Sequence, residues 1–118
     1  MKVKVSEASG PALDWMVRYA QNGRPPIDYV PNRDNFSTCW NKGGPLIELE
    51  KIELKVLADS VHTDAHPTFK FGDQWEANIW PDERDLIEYC GPTPLITAMR
   101  CYVASKLGEE VDVPEELL

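Results

Sequence analysis

No stretch of the 118-residue chain approaches the ~18 consecutive apolar residues that a membrane-spanning helix requires, which excludes a helical integral membrane protein. The start of the chain is equally poor in apolar runs: Met1-Lys2-Val3-Lys4-Val5 enters an alternating pattern at once, so neither a signal peptide nor export is expected. Cysteine is scarce. Cys39, Cys90 and Cys101 make an odd number with no CxxC spacing, which argues against a disulfide framework, zinc binding or redox work and fits a reducing cytoplasm. Positive charge is scarce too. Twelve Lys and Arg against twenty Asp and Glu leave a formal charge of −8, which excludes general binding to nucleic-acid phosphates, because that needs a basic surface to displace counterions. An acidic chain can instead imitate nucleic acid toward a basic protein, but charge that merely keeps a small protein soluble is the simpler reading.

What the chain does contain is a helix with both ends marked. In Cys90-Gly91-Pro92-Thr93-Pro94-Leu95, Thr93 can cap through its hydroxyl and Pro94 suits the first helical position. Gly108 supplies the left-handed residue that ends the run. Leu95, Ile96, Met99, Tyr102, Val103 and Leu107 fall on one stripe that other elements must cover. Upstream, Val3 and Val5 alternate as a short strand. Leu13, Met16, Val17 and Ala20 mark a helix opened by Gly10-Pro11 and closed by Asn22-Gly23, with Asp14 and Arg18 spaced to pair across one turn.

Residues 24–45 hold six prolines and glycines among repeated Asn and Asp and read as one long loop, with Gly44-Pro45 starting the next element. From Leu46 the pattern fits either one or two helical turns or a strand. Ile52, Leu54 and Val56 then alternate as a strand with one buried face, and residues 74–80 alternate again as its partner. Residues 81–89 read as a short acidic helix or a turn. The expected fold is α+β: a small antiparallel sheet with an N-terminal helix and a long C-terminal helix packed on one face, in a single domain over residues 1–108. Residues 109–118 read as a solvated acidic tail.

Motifs for chemistry are thin. His62 and His66 stand four apart, as metal ligands on a helix would, but Pro67 follows at once and the surrounding residues are polar, so an ordinary loop is the better reading. The cysteines lack a convincing base, no carboxylate spacing singles out an acid/base pair, and no metal, cofactor or catalytic residue is expected. Lys42-Gly43-Gly44 before a helix start offers backbone amides and a positive charge to an anion, although a plain turn explains it as well. Arg100, two turns into the terminal helix, must either pair with an acid or meet a ligand anion.

The segments Trp40-Asn41-Lys42-Gly43-Gly44-Pro45-Leu46-Ile47-Glu48 and Gly91-Pro92-Thr93-Pro94-Leu95-Ile96-Thr97-Ala98-Met99-Arg100-Cys101-Tyr102-Val103-Ala104-Ser105-Lys106-Leu107-Gly108, together with Leu13-Asp14-Trp15 and the start and tail of the chain, resemble the NinX family of lambdoid phages and prophages. The resemblance implies a phage accessory protein acting in the cytoplasm of the bacterial host. By analogy with other small phage proteins it implies a role in modifying a host process, including defence, by binding.

On this reading the leading expectation is sequestration of a small anionic, nucleotide-derived ligand. Trp40 and Trp75 (or Trp80) would stack on a base. Lys42, Gly43, Gly44 and Arg100 would meet phosphate, and Ser37, Thr38 and Thr93 would add hydrogen bonds. The second expectation is an interaction module that inhibits a host or phage protein through an acidic, aromatic surface, and an enzyme acting on nucleotides comes third. A homodimer is the preferred oligomeric state.

Overall fold

The computed structural model describes residues 1–27, 29, 33–57, 72–81 and 85–118. Its elements run β1 (Lys2–Lys4), α1 (Gly10–Asn22), α2 (Trp40–Glu50), β2 (Glu53–Val56), β3 (Trp75–Ile79), β4 (Ile87–Gly91), α3 (Pro94–Leu107) and β5 (Glu110–Asp112), with short 3₁₀ turns at Val5–Glu7 and Glu115–Leu117. This is an α+β fold. β2, β3 and β4 form an antiparallel sheet in that order, with Glu53 opposite Asn78 and Ile79 opposite Ile87, while β1 and β5 form a separate antiparallel ribbon.

α3 is the organiser. Thr93 caps it as its sequence requires, its hydroxyl accepting from the Ile96 N–H at 3.1 Å, and Pro94 occupies the first turn where no donor is lost. Gly108 ends it at φ 91°, the positive-φ region open to glycine, with its N–H on the Ala104 carbonyl; its ψ of −168° departs from the left-handed helical value, and the chain leads on to β5. The expected single apolar stripe is too narrow a description. Every residue from 97 to 103 is buried, almost two full turns, because α3 lies between the sheet strands β3 and β4 on one side and α1 and α2 elsewhere around it. α1 thus packs on α3 rather than being a second layer on the sheet. Met99, Val103, Leu13 and Met16 are sealed at this junction, and each such side chain contributes ~1.5–3 kcal/mol by its burial.

Four local expectations are corrected. β4 takes up Ile87–Tyr89, the end of the segment 81–89 that suggested an acidic helix or turn and of which residues 82–84 lie outside the described residues: Ile87 and Tyr89 share one face of a strand that gives α3 a second strand to lie on, and β-prone side chains favour it. α2 begins at Trp40, not at Gly44-Pro45. The turn over Asn35–Cys39 winds into it, with the Lys42 and Gly43 N–H groups both on the Cys39 carbonyl, so the irregular stretch ends at residue 39. Pro45 then lies inside the helix. Gly44, lacking a Cβ, relieves the clash that normally keeps the residue before proline out of the helical region. Lys51 at φ 53° closes the helix, and the Ile52 N–H reaches back to the Ile47 carbonyl at 3.0 Å.

The third correction concerns β2, where Ile52 is buried and Leu54 half-buried but Val56 is 68% exposed, since β2 is the outer strand of its sheet. The fourth concerns the C-terminal segment. Its acids do face solvent, yet β5 pairs Val111 with Val3, and Val111 and Val113 are both buried. The Met1 amino group binds Asp112 at 2.7 Å and holds that carboxyl below its usual pKa. The hydrophobic positions, not the acidic ones, decide where this segment goes.

Candidate functional site

The two signature segments meet at the first half of α3. Gly43 of α2 seats on its first turn: a Cβ built at Gly43 would fall 2.4 Å from the Phe36 carbonyl oxygen and 2.7 Å from Leu95 Cδ1. At the end of β4, a Cβ on Gly91 would stand 2.5 Å from Thr97 Oγ1 and 3.3 Å from Arg100 Nη1. Trp75 lies directly across from Gly91 in the ladder. Both glycines are therefore demanded by close packing, which the sequence reading had not assigned to them.

Arg100 is buried, 6% exposed, and its guanidinium is turned inward. Nε donates to the Ala8 carbonyl at 2.8 Å and Nη1 to the Cys90 carbonyl at 2.9 Å. Burial pulls its pKa down, opposed by the fields of Asp73 and Cys90. Neither expected role, pairing with an acid or meeting a ligand, describes these contacts: Arg100 ties the segment after β1 to the end of β4. Buried carbonyls need donors, and a planar guanidinium supplies two at once.

The remaining expected residues divide by exposure. Thr38, Trp40 and Lys42 stand on the surface around the first turn of α2, with Trp40 55% exposed. Thr93 is exposed and its hydroxyl is engaged in the cap. Trp75 and Gly44 are half-buried. Ser37 is buried and donates its backbone N–H to Asp14 Oδ1 at 2.8 Å. None of the nine lines either of two clefts, one of about 630 Å³ between β4 and the β1–β5 ribbon and one of about 390 Å³ beside Arg18 and Arg24. His62 and His66 lie outside the described residues. Among the described residues, no group of three or more His, Cys, Asp or Glu is placed to hold a metal.

The sequence reading missed a buried polar cluster between α1 and residues 33–37. Asp14 and Asp34 are 4% and 3% exposed, and Arg18 and Arg33 converge on one oxygen of Asp34 at 3.6 and 3.4 Å. Arg18 thus reaches across to the loop, and the expected Asp14–Arg18 pairing gives way to Asp34. Burial raises the Asp14 pKa, Ser37 lowers it through its hydroxyl and its amide, and Asp34 adds a smaller upward push. The Ser37 hydroxyl lies close to Asp14 without forming a hydrogen bond of good geometry. Tyr29, donating to the Pro11 carbonyl at 3.2 Å, is pushed up to about 12 by burial and by both acids. Nothing in an Asn/Asp-rich loop distinguishes Asp34 from its solvated neighbours. Cys101 is buried on α3, and burial pushes its thiol up to about 12, which disfavours the reactive thiolate.

Fold and surface together define a small α+β protein built around one enclosed helix, with Trp40 and Trp80 set outward and Trp15 in the core. The chain belongs to the family described as Bacteriophage P22, NinX, whose model matches residues 4–106. It is in that sense a phage accessory protein, and the match spans both signature segments. No curated protein matches the chain.

Proposed function

We propose that the protein acts in the host cytoplasm by binding a host or phage protein through a surface that includes Trp40 and Trp80. The observation that carries this reading is that Trp40 and Trp80 are 55% and 57% exposed in a molecule of charge −8. Tryptophan is enriched among the residues that dominate binding energy, and a partner that covers these rings gains apolar burial that the free protein lacks. Tagged protein recovered from infected cells should carry one stoichiometric partner, and Trp40→Ala or Trp80→Ala should weaken it by about tenfold or more while leaving the melting temperature unchanged. Wild-type capture by both variants sinks the proposal.

Sequestration of a small anionic, nucleotide-derived ligand, as a counter-defence activity, is the second reading. It is favoured by the grouping of exposed Thr38, Trp40 and Lys42 around the first turn of α2. Trp40 would stack on the base and Lys42 would meet phosphate, with Trp75 and Thr93 as further contacts. Ser37, Gly43, Gly44 and Arg100 would then shape the wall from behind. A thermal-shift series with cyclic dinucleotides and ADP-ribose derivatives tests it: a rise in melting temperature that Trp40→Ala abolishes supports this reading, and a flat series removes it.

A further inference from the structure

β2 is an outer strand of its sheet, with β3 on one side only. Leu57 donates its N–H to the Gln74 carbonyl at 2.9 Å, which makes these two a hydrogen-bonded pair. Such pairs alternate with non-bonded ones along an antiparallel ladder, so Lys55–Glu76 and Glu53–Asn78 are bonded as well. The N–H and C=O groups of Leu54 and Val56 therefore face away from β3. Among the described residues no backbone group meets them, and Val56 is 68% exposed. The Ile52 N–H is taken by the Ile47 carbonyl at 3.0 Å, but the Ile52 carbonyl also faces outward. An open edge of this kind is a template for a further strand.

The side chains decide which strand fits. Gly91 meets Thr97 and Arg100 of α3, and Trp75 and Val56 stand in its row, so Leu54 and Val56 lie on the α3 face and Glu53 and Lys55 on the opposite one. Lys55 Nζ is 2.9 Å from Glu53 Oε1, and Asn78 Nδ2 donates to the same oxygen at 3.3 Å. Both contacts fall on Oε1, which leaves Oε2 and further ammonium donors to meet a second pair. An edge lysine ordinarily discourages pairing. Turned antiparallel on itself about Leu54, however, Ile52-Glu53-Leu54-Lys55-Val56 is complementary: each Glu53 faces a Lys55, each Ile52 a Val56, and Leu54 its own copy. The two Leu54 residues exchange both of their outward hydrogen bonds, and each Val56 N–H meets the opposite Ile52 carbonyl, so the occupied Ile52 N–H is not needed. Centring the pair on Glu53 or Lys55 opposes like charges instead, and centring it on Val56 sets Lys55 against Leu57.

We infer that β2 pairs with β2 of a second copy of this chain, antiparallel and centred on Leu54, joining two three-stranded sheets into one of six strands about a twofold axis. A uniformly basic or acidic strand matches one of the two charges and repels the other, whereas a second copy matches both. This contact is separate from whatever covers Trp40 and Trp80.

Sedimentation velocity over a concentration series should show the mass rising from 13.4 kDa toward twice that value. Hydrogen exchange at the Leu54 and Val56 amides should slow over the same range, while Glu53 and Lys55, bonded to β3, stay unchanged. Lys55→Glu and Glu53→Lys each oppose like charges at both symmetric positions and should weaken self-association by about tenfold or more. Their equimolar mixture restores opposite charges at both positions and should recover the dimer. If either variant fails to fold, the chain carrying both substitutions takes its place: it should pair with itself and refuse the wild type. A mass of 13.4 kDa at every concentration, a dimer that both single variants retain, a mixture of folded variants that stays monomeric, or free mixing of the doubly exchanged chain with wild type overturns the pairing. Slow exchange at Leu54 and Val56 in a monomer means that the chain covers its own edge, and slowing only in a complex with a captured protein gives the edge to that protein; either result overturns the dimer.

Discussion

Gly43 of α2 and Leu95 of α3 are packed so closely that a Cβ on the glycine would stand 2.7 Å from Leu95 Cδ1, with the Phe36 carbonyl oxygen nearer still at 2.4 Å. The leucine tip can swing away; the carbonyl belongs to the backbone and cannot do so cheaply.

Gly43→Ala should therefore destabilise the protein by about 1–3 kcal/mol, the usual cost of overpacking, despite the better helix propensity of alanine. At Gly44 an added Cβ meets, beyond its chain neighbours, only Trp40 Cε3 at 3.8 Å, an ordinary contact, so Gly44→Ala adds the pre-proline crowding against Pro45 but no clash with another element. Urea denaturation should place Gly44→Ala well above Gly43→Ala in midpoint. The reverse order contradicts the packing account.

Arg100→Met should cost roughly 1–3 kcal/mol, because it leaves the Ala8 and Cys90 carbonyls without the donors that now reach them at 2.8 and 2.9 Å. Arg100→Lys should recover part of that loss, since an ammonium can serve one carbonyl but lacks the planar fork that serves both. If Arg100→Met unfolds at the wild-type urea midpoint, the guanidinium is not structural.

Asp14 should give stability a pH dependence of unusual sign. Burial raises its pKa above the ordinary 3.8, so the folded protein holds a proton at pH values where the unfolded chain has released it. Its favourable contribution is complete below pH 3.8 and declines as the pH rises through the raised value. Asp14→Asn keeps an acceptor for the Ser37 N–H and should flatten this decline. Urea midpoints of the two proteins measured across acidic and neutral pH provide the check; parallel curves would refute it.

Val113→Asp should destabilise the fold by about 3 kcal/mol or more, because a side chain 1% exposed would become a buried carboxylate with no partner supplied. Glu115→Lys, nearby and exposed, should be close to neutral. Equal melting temperatures for wild type and Val113→Asp would restore the solvated-tail reading.

The elements whose marks are local were legible in the sequence. Thr93, Pro94 and Gly108 announce α3 through capping chemistry, and Gly10-Pro11 and Gly23 do the same for α1. What was not legible depends on what lies across from a residue. β4 is a strand because β3 and α3 need it there, and Val111 is buried because Val3 is opposite. The site residues divide likewise: Trp40 and Lys42 are exposed, whereas Arg100 and Gly43 have packing roles that their residue types did not announce, the one serving the Ala8 and Cys90 carbonyls and the other a tight helix crossing. Asp34 had no sequence signal at all, since its importance comes from two arginines that reach it from different parts of the chain.

The β1–β5 ribbon joins Lys2 to Asp112 and Lys4 to Glu110, so its pairs span nearly the whole chain. Closing so long a loop is entropically costly until the intervening residues have collapsed around α3. Closure entropy therefore favours late formation of the ribbon. Because one wall of the cleft beside β4 belongs to it, that wall is assembled late, and a folding intermediate with α3 in place but the ribbon still open would lack it.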